Sequence, residues 1–143
     1  MKVKKEGKGA THARERLSER EIRYLAVLKK LRGKDVRLKD LSFELNVATP
    51  SAHEEVRHLQ KKGMVVSSEG GLISLTEHGI SALENIRAVH IALETILSGY
   101  GFSEEEACKS SHSFECAVPS EVGLKLYSVL GKPVKCPSGH DEC

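Results

Sequence analysis

The stretch that decides the fold is Arg37-Leu38-Lys39-Asp40-Leu41-Ser42-Phe43-Glu44-Leu45-Asn46-Val47-Ala48-Thr49-Pro50-Ser51-Ala52-His53-Glu54-Glu55-Val56-Arg57-His58-Leu59-Gln60-Lys61-Lys62-Gly63. Leu38, Leu41 and Leu45 share one helical face, and Ala52, Val56 and Leu59 share another. Between them, Asn46 to Thr49 leaves room only for a tight connection. Thr49 is expected to cap the second of these helices. Pro50 then takes its first position, where a missing N–H costs nothing. Gly63 ends it.

Working outward, Ser18 reads as an N-cap, with Glu19 and Glu21 in the first turn where the helix dipole favours anions. Ile22, Leu25, Leu28 and Leu31 recur every three residues and predict an amphipathic helix ending at Gly33. Downstream, Met64 to Ser68 and Leu72 to Leu75 flank Glu69-Gly70-Gly71, the pattern of a β-hairpin. Helix, short helix, turn, helix and hairpin is the order of a winged helix-turn-helix. In such a domain the third helix presents its outer face to a DNA groove. The candidate contacts are Lys39, Thr49, Pro50, Ser51, His53, Glu54, Arg57, His58, Lys61 and Lys62. Ser51 and His53 reach base edges or phosphates, and Lys61 and Lys62 suit phosphate. Glu54 either accepts from a cytosine amine or pairs with His58 four residues on. Glu55 is expected to be solvated.

Charge supports this division. Residues 1–76 hold 17 Lys and Arg against 10 Asp and Glu, whereas residues 77–143 hold 5 against 10, so a net charge of +2 hides a basic half and an acidic half. Six of those basic residues lie in residues 1–16, read as a basic arm. With 4% aromatic residues and no Trp, base-stacking RNA modules are disfavoured. No apolar run is long enough to span a membrane and no secretory signal is visible, so a cytoplasmic protein is expected.

In the acidic half, Thr76 and Glu77 open a long helix with Ile80, Leu83, Ile86, Val89, His90, Leu93, Ile96 and Leu97 on its apolar stripe. Gly99-Tyr100-Gly101 breaks it. Ser103 with Glu106 is a capping box for a fifth helix. Val118-Pro119 interrupts that helix, and Ser120 to Leu130 forms a sixth. His90 and Glu94 stand one above the other at i, i+4. Cys108, His112, Glu115 and Cys116 share one face of the fifth helix. A divalent transition metal needs several N, S or O donors converging at about 2.0–2.3 Å, and two neighbouring helices can supply them. Plain core thiols and a satisfied core histidine are the other reading of the same residues. The tail adds Cys136, His140 and Cys143, which either extend the donor set or are incidental.

From about Tyr24 to Gly139 the chain resembles the diphtheria toxin repressor and manganese transport regulator family. The stretches that carry the resemblance are Tyr24-Leu25, Lys39-Asp40-Leu41, Asn46-Val47, Thr49-Pro50-Ser51 and His58 to Val65. They continue with Leu75-Thr76-Glu77-His78-Gly79, Val89-His90 with Glu94, Glu115-Cys116, Leu130-Gly131 and Cys136-Pro137-Ser138-Gly139. The resemblance implies a homodimer that binds a palindromic operator in double-stranded DNA when a divalent metal is bound. It places ligands at His90 and Glu94, and at His112, Glu115 and Cys116, with Cys108 matching a further histidine of one branch. Cys116 stands where the family has His, and His112 where it has Cys or Glu. Arg23 replaces a Met or Asp ligand and Ala26 a Glu. Arg23 is therefore a candidate built-in cation directed at Glu115 or Glu94. The SH3-like third domain of the longer members is not expected.

The expected architecture is mainly α. A basic arm (1–17) precedes a winged helix-turn-helix (18–76) and a helical dimerisation and metal-binding domain with a Cys/His tail (77–143). The expected function is a metal-dependent repressor using Fe²⁺, Mn²⁺ or Zn²⁺, with thiolate content favouring iron or zinc. A constitutive winged-helix binder with a structural metal fits the same residues, as does a thiol redox sensor or protein-interaction module on the same fold. Enzymatic function is not expected, because no nucleophile elbow, phosphate loop or paired catalytic carboxylates occur.

Overall fold

The computed structural model describes residues 16–134, 136 and 137. Those residues form a mainly helical protein with six helices and one small sheet: α1 (Glu19–Lys30), α2 (Leu38–Leu45), α3 (Thr49–Lys61), β1 (Val65–Ser67), β2 (Ile73–Leu75), α4 (Glu77–Gly99), α5 (Glu104–Phe114) and α6 (Ser120–Val129). They fall into two compact units that meet in sequence at Ile80 and Ser81, inside α4. Most of the basic arm lies outside the described residues. Its last residues differ from an arm, because Leu17 is buried.

In the N-terminal unit, α1 opens on a capping box. The Ser18 hydroxyl accepts from the Glu21 amide at 3.1 Å, and the Glu21 carboxylate accepts from the Ser18 amide at 3.2 Å. Tyr24, Leu25 and Leu28 form its buried face. The chain leaves α2 through Asn46 in the left-handed conformation (φ 51°), and the Val47 amide donates back to the Ser42 carbonyl at 3.0 Å. The expected cap of α3 moves by one residue. Ala48 is the N-cap, Thr49 is already helical, and the Thr49 hydroxyl lies 3.4 Å from that of Ser42 on α2.

β1 and β2 pair antiparallel, with Val65 opposite Leu75 and Ser67 opposite Ile73. The Ile73 amide donates to the Val36 carbonyl at 2.8 Å, which joins the hairpin to the segment before α2. Leu25, Leu41, Ala52, Leu59, Met64 and Val65 are the tightest part of the core, each at most 2% exposed.

The Leu75-Thr76-Glu77-His78-Gly79 motif has a clear structural cause. The Thr76 hydroxyl accepts from the Gly79 amide at 3.1 Å and donates to the Gly63 carbonyl at 2.6 Å. A Cβ on Gly79 would lie 2.2 Å from the Met64 carbonyl oxygen, so only glycine lets the start of α4 approach the end of the α3–β1 connection this closely.

The C-terminal unit is built on the rest of α4. Six consecutive residues, Val89 to Glu94, are buried, so this stretch is enclosed on every side rather than along one stripe. α6 crosses α4 at Gly123, where a Cβ would stand 2.4 Å from Val89 Cγ2. α5 starts on the Ser103 capping box, with Glu106 accepting from the Ser103 amide at 3.0 Å. The turn after α6 is held by the Tyr127 hydroxyl, which donates to the Pro133 carbonyl at 3.0 Å. It leads to Cys136, which is buried.

Candidate functional site

His90 sits in the middle of α4 and is 1% exposed. Each of its ring nitrogens faces a carboxylate. Nδ1 lies 2.8 Å from Glu115 Oε2, and Nε2 lies 3.1 Å from Glu94 Oε2. Cys108 Sγ is 3.8 Å from the same Nε2. The His112 ring lies against that of His90, with centroids 4.3 Å apart, and its Nδ1 is 3.5 Å from Glu115 Oε1. Two sets of donors converge on this one imidazole: His90 with Cys108 and His112, and His90 with Glu94 and Cys136, each with ligand atoms mutually within 4.8 Å.

Burial makes this arrangement costly unless charge is balanced. Glu94 is 0% and Glu115 7% exposed, and one imidazolium offsets only one of two buried carboxylates. Removing an ionised carboxylate from water costs several kcal/mol unless it is paired. A dication with neutral histidine would offset both charges. The ligand atoms of each triad lie mutually within 4.8 Å, close enough for small side-chain shifts to bring them to the roughly 3.3–3.8 Å separation that a tetrahedral ion bound at about 2.0–2.3 Å sets. The donor set of imidazole, thiol and carboxylate therefore fits a transition metal.

The sequence candidates divide clearly. His90, Glu94, Cys108, His112, Glu115 and Cys136 are brought together. Cys116 lies just beyond the end of α5, half-buried, and belongs to neither triad. His140 and Cys143 lie outside the described residues. Arg23 is exposed and lines a cleft in the N-terminal unit with Arg20 and Tyr24.

On α3, Thr49, Pro50, Ser51, His53, Glu54, Arg57, His58 and Lys61 are all exposed, as is Lys39 on α2. Two expectations need correction. Lys62 is not a free phosphate contact, because its Nζ donates to Glu21 Oε1 and Oε2 at 2.8 and 2.7 Å and to the Arg16 carbonyl at 3.0 Å. Glu55 is not solvated. It is 8% exposed on the inner face of α3, with Arg20 Nη1 3.9 Å away. Its phase with Ala52, Val56 and Leu59 is the signal that could have placed it inside.

Residues 76–143 match the family model described as "Iron dependent repressor, metal binding and dimerisation domain". Among solved structures, the hypothetical protein SSo2273 from Sulfolobus solfataricus is 32% identical, with a TM-score of 0.80, covering 89% of this chain and 99% of that one. A manganese-dependent transcriptional repressor in complex with manganese is 26% identical, with a TM-score of 0.60, covering 82% of this chain and 55% of that one. ScaR with bound Zn²⁺ is 20% identical, with a TM-score of 0.69, and shares the fold over 82% of this chain and 56% of its own. The chain thus spans nearly all of the first relative but little more than half of these two repressors. No curated protein matches it. With the buried His and carboxylate cluster lying inside the matched region, the chain belongs to the diphtheria toxin repressor family of metal-dependent repressors.

Proposed function

We propose that this protein is a metal-dependent transcriptional repressor that binds operator DNA as a homodimer. The observation that carries the reading is His90, buried and flanked by Glu94, Glu115, Cys108 and Cys136 in a geometry that a divalent cation can close. His90 with donors from among Glu94, Cys108, His112 and Cys136 would hold the ion, and Glu115 would orient the His90 ring through Nδ1. Two thiols in the set favour Fe²⁺ or Zn²⁺ over Mn²⁺. The three helices and hairpin of the N-terminal unit act as a winged helix-turn-helix, with the exposed residues of α3 from Thr49 to Lys61 reading the major groove. Tyr100 (84% exposed), Val129 (75%) and Val122 (51%) are large apolar side chains on the C-terminal unit, and such side chains suit a subunit interface.

The test is a gel shift on duplexes selected from a random pool by the metal-loaded chain, titrated separately with Fe²⁺, Mn²⁺ and Zn²⁺. Retention in metal, loss in chelator and loss on His90→Ala are expected. Undiminished binding in chelator would replace this reading with constitutive DNA binding. That second reading has one observation in its favour: both nitrogens of His90 face a carboxylate at hydrogen-bond distance, which a protonated ring can satisfy.

A further inference from the structure

Within the N-terminal unit, a cleft of about 350 Å³ opens between α1 and the start of α3. Arg20, Arg23, Tyr24 and Ser51 line it on the polar side, and Leu45, Val47 and Ala48 form an apolar wall. We propose that this cleft binds a small organic anion, a carboxylate or phosphate monoester carrying an apolar body. Its lining residues all belong to the N-terminal unit and none is a member of the His90 cluster, and nothing in the reading of the chain as a repressor requires it.

Four observations converge. Tyr24 is only 2% exposed, yet it lines the cleft and its hydroxyl makes no hydrogen bond with any described residue. A phenol proton that no described residue accepts is available to a ligand acceptor in the cleft. Burial, reinforced by the nearby Glu55 carboxylate, raises the Tyr24 pKa, so the phenol keeps its proton and remains a donor.

Charge is the second observation. Arg20 is shared with Glu55 at 3.9 Å, which leaves Arg23 as the cation with no ion pair among the described residues. The third is the start of α3. Ala48 supplies no side-chain cap, so the positive end of that helix meets the cleft beside Ser51. The fourth is the apolar wall, which a bare phosphate would leave uncovered. The volume suits a ligand of roughly a dozen heavy atoms rather than a bare ion. Ser51 is also on the proposed DNA face, so an occupant would change how α3 meets a groove.

The experiment is titration of the full chain with phenyl phosphate, inorganic phosphate and dimethyl phosphate, followed by calorimetry and amide chemical shifts. Phenyl phosphate is expected to bind saturably at one site in the millimolar range or tighter, with shifts at Arg23, Tyr24 and Ser51. Arg23→Gln should weaken it at least tenfold. Tyr24→Phe, which keeps the ring, should weaken it severalfold. Arg32→Gln, exposed and outside the cleft, should leave affinity unchanged. Absence of saturable binding would overturn the proposal, and so would equal losses from Arg23→Gln and Arg32→Gln. If inorganic phosphate binds as tightly as phenyl phosphate, the apolar wall is not used and the organic anion is excluded. If dimethyl phosphate does so, the cleft is a DNA-backbone contact and the proposal falls.

Discussion

His90 and Glu115 are 25 residues apart in sequence, yet they meet at 2.8 Å, Nδ1 to Oε2, across the interior of the C-terminal unit. That pairing orients the ring so that Nε2 is presented to Glu94 and Cys108. A ligand that binds only the folded state stabilises it by mass action, about 2.7 kcal/mol at a hundred times its Kd. Zn²⁺ should therefore raise the unfolding temperature of the chain. The rise should vanish in His90→Ala and shrink in Glu115→Gln, which can still hold the ring but carries no charge. Scanning calorimetry with and without chelator checks this. An undiminished rise in His90→Ala would remove the cluster as the binding site.

The Lys62–Glu21 pair is a structural bond between α3 and α1. Lys62 Nζ lies 2.7 Å from Glu21 Oε2, with side-chain exposures of 26% and 8%. Losing Lys62 leaves the buried Glu21 carboxylate without its cation, but the site is open enough on the Lys62 side for water to reach it, so Lys62→Met should cost about 2 kcal/mol, less than the 3–5 kcal/mol of a fully buried pair. Adding Glu21→Gln to Lys62→Met should recover part of the loss. Urea unfolding of the two single variants and the double variant measures the coupling. Additive losses would mean the two groups do not act together.

Glycine at 79 and at 123 is predicted to be required to different degrees. At Gly79 the obstacle is the Met64 backbone carbonyl, which cannot rotate away, so Gly79→Ala should cost roughly 3 kcal/mol or more. At Gly123 the obstacle is the Val89 side chain, and Gly123→Ala should cost about 1–3 kcal/mol. Val89→Ala combined with Gly123→Ala should be less destabilised than the sum of the two single changes. Denaturation midpoints decide this, and a tolerated Gly79→Ala would contradict the close approach.

Tyr24 supplies a prediction at alkaline pH. Its pKa is raised first by burial and then by Glu55. Because the folded value exceeds the unfolded one, the protonated phenol contributes stability that is complete below the ordinary tyrosine value. That stability is lost as pH rises through the folded value. The tyrosinate absorbance of the folded protein should contain a component that titrates late, and Tyr24→Phe should delete it. A titration curve that Tyr24→Phe shortens only at its early end would refute the assignment.

Much of the architecture was legible because its causes act within one or two helical turns. The stripes Leu25–Leu28 and Ala52–Val56–Leu59, the capping boxes at Ser18 and Ser103, and the Gly70-Gly71 hairpin were all readable. Each depends on periodicity, a cap or a turn residue that neighbours in sequence decide. The i, i+4 pair of His90 and Glu94 was readable for the same reason.

The readings that changed all depend on partners far along the chain. Lys62 resembled a phosphate contact until Glu21, 41 residues away, claimed its ammonium. Glu55 resembled a solvated acid until α1 brought Arg20 beside it. Cys136 was one of two tail thiols until the turn after α6 buried it near His90 and Glu94. Local pattern thus determined the elements, their order and most of the donor residues, because the spacing of side chains along a helix is set by its own geometry. Which donors meet around His90, and which charges are consumed in holding helices together, was decided by packing, because those contacts join residues that only a folded core makes neighbours.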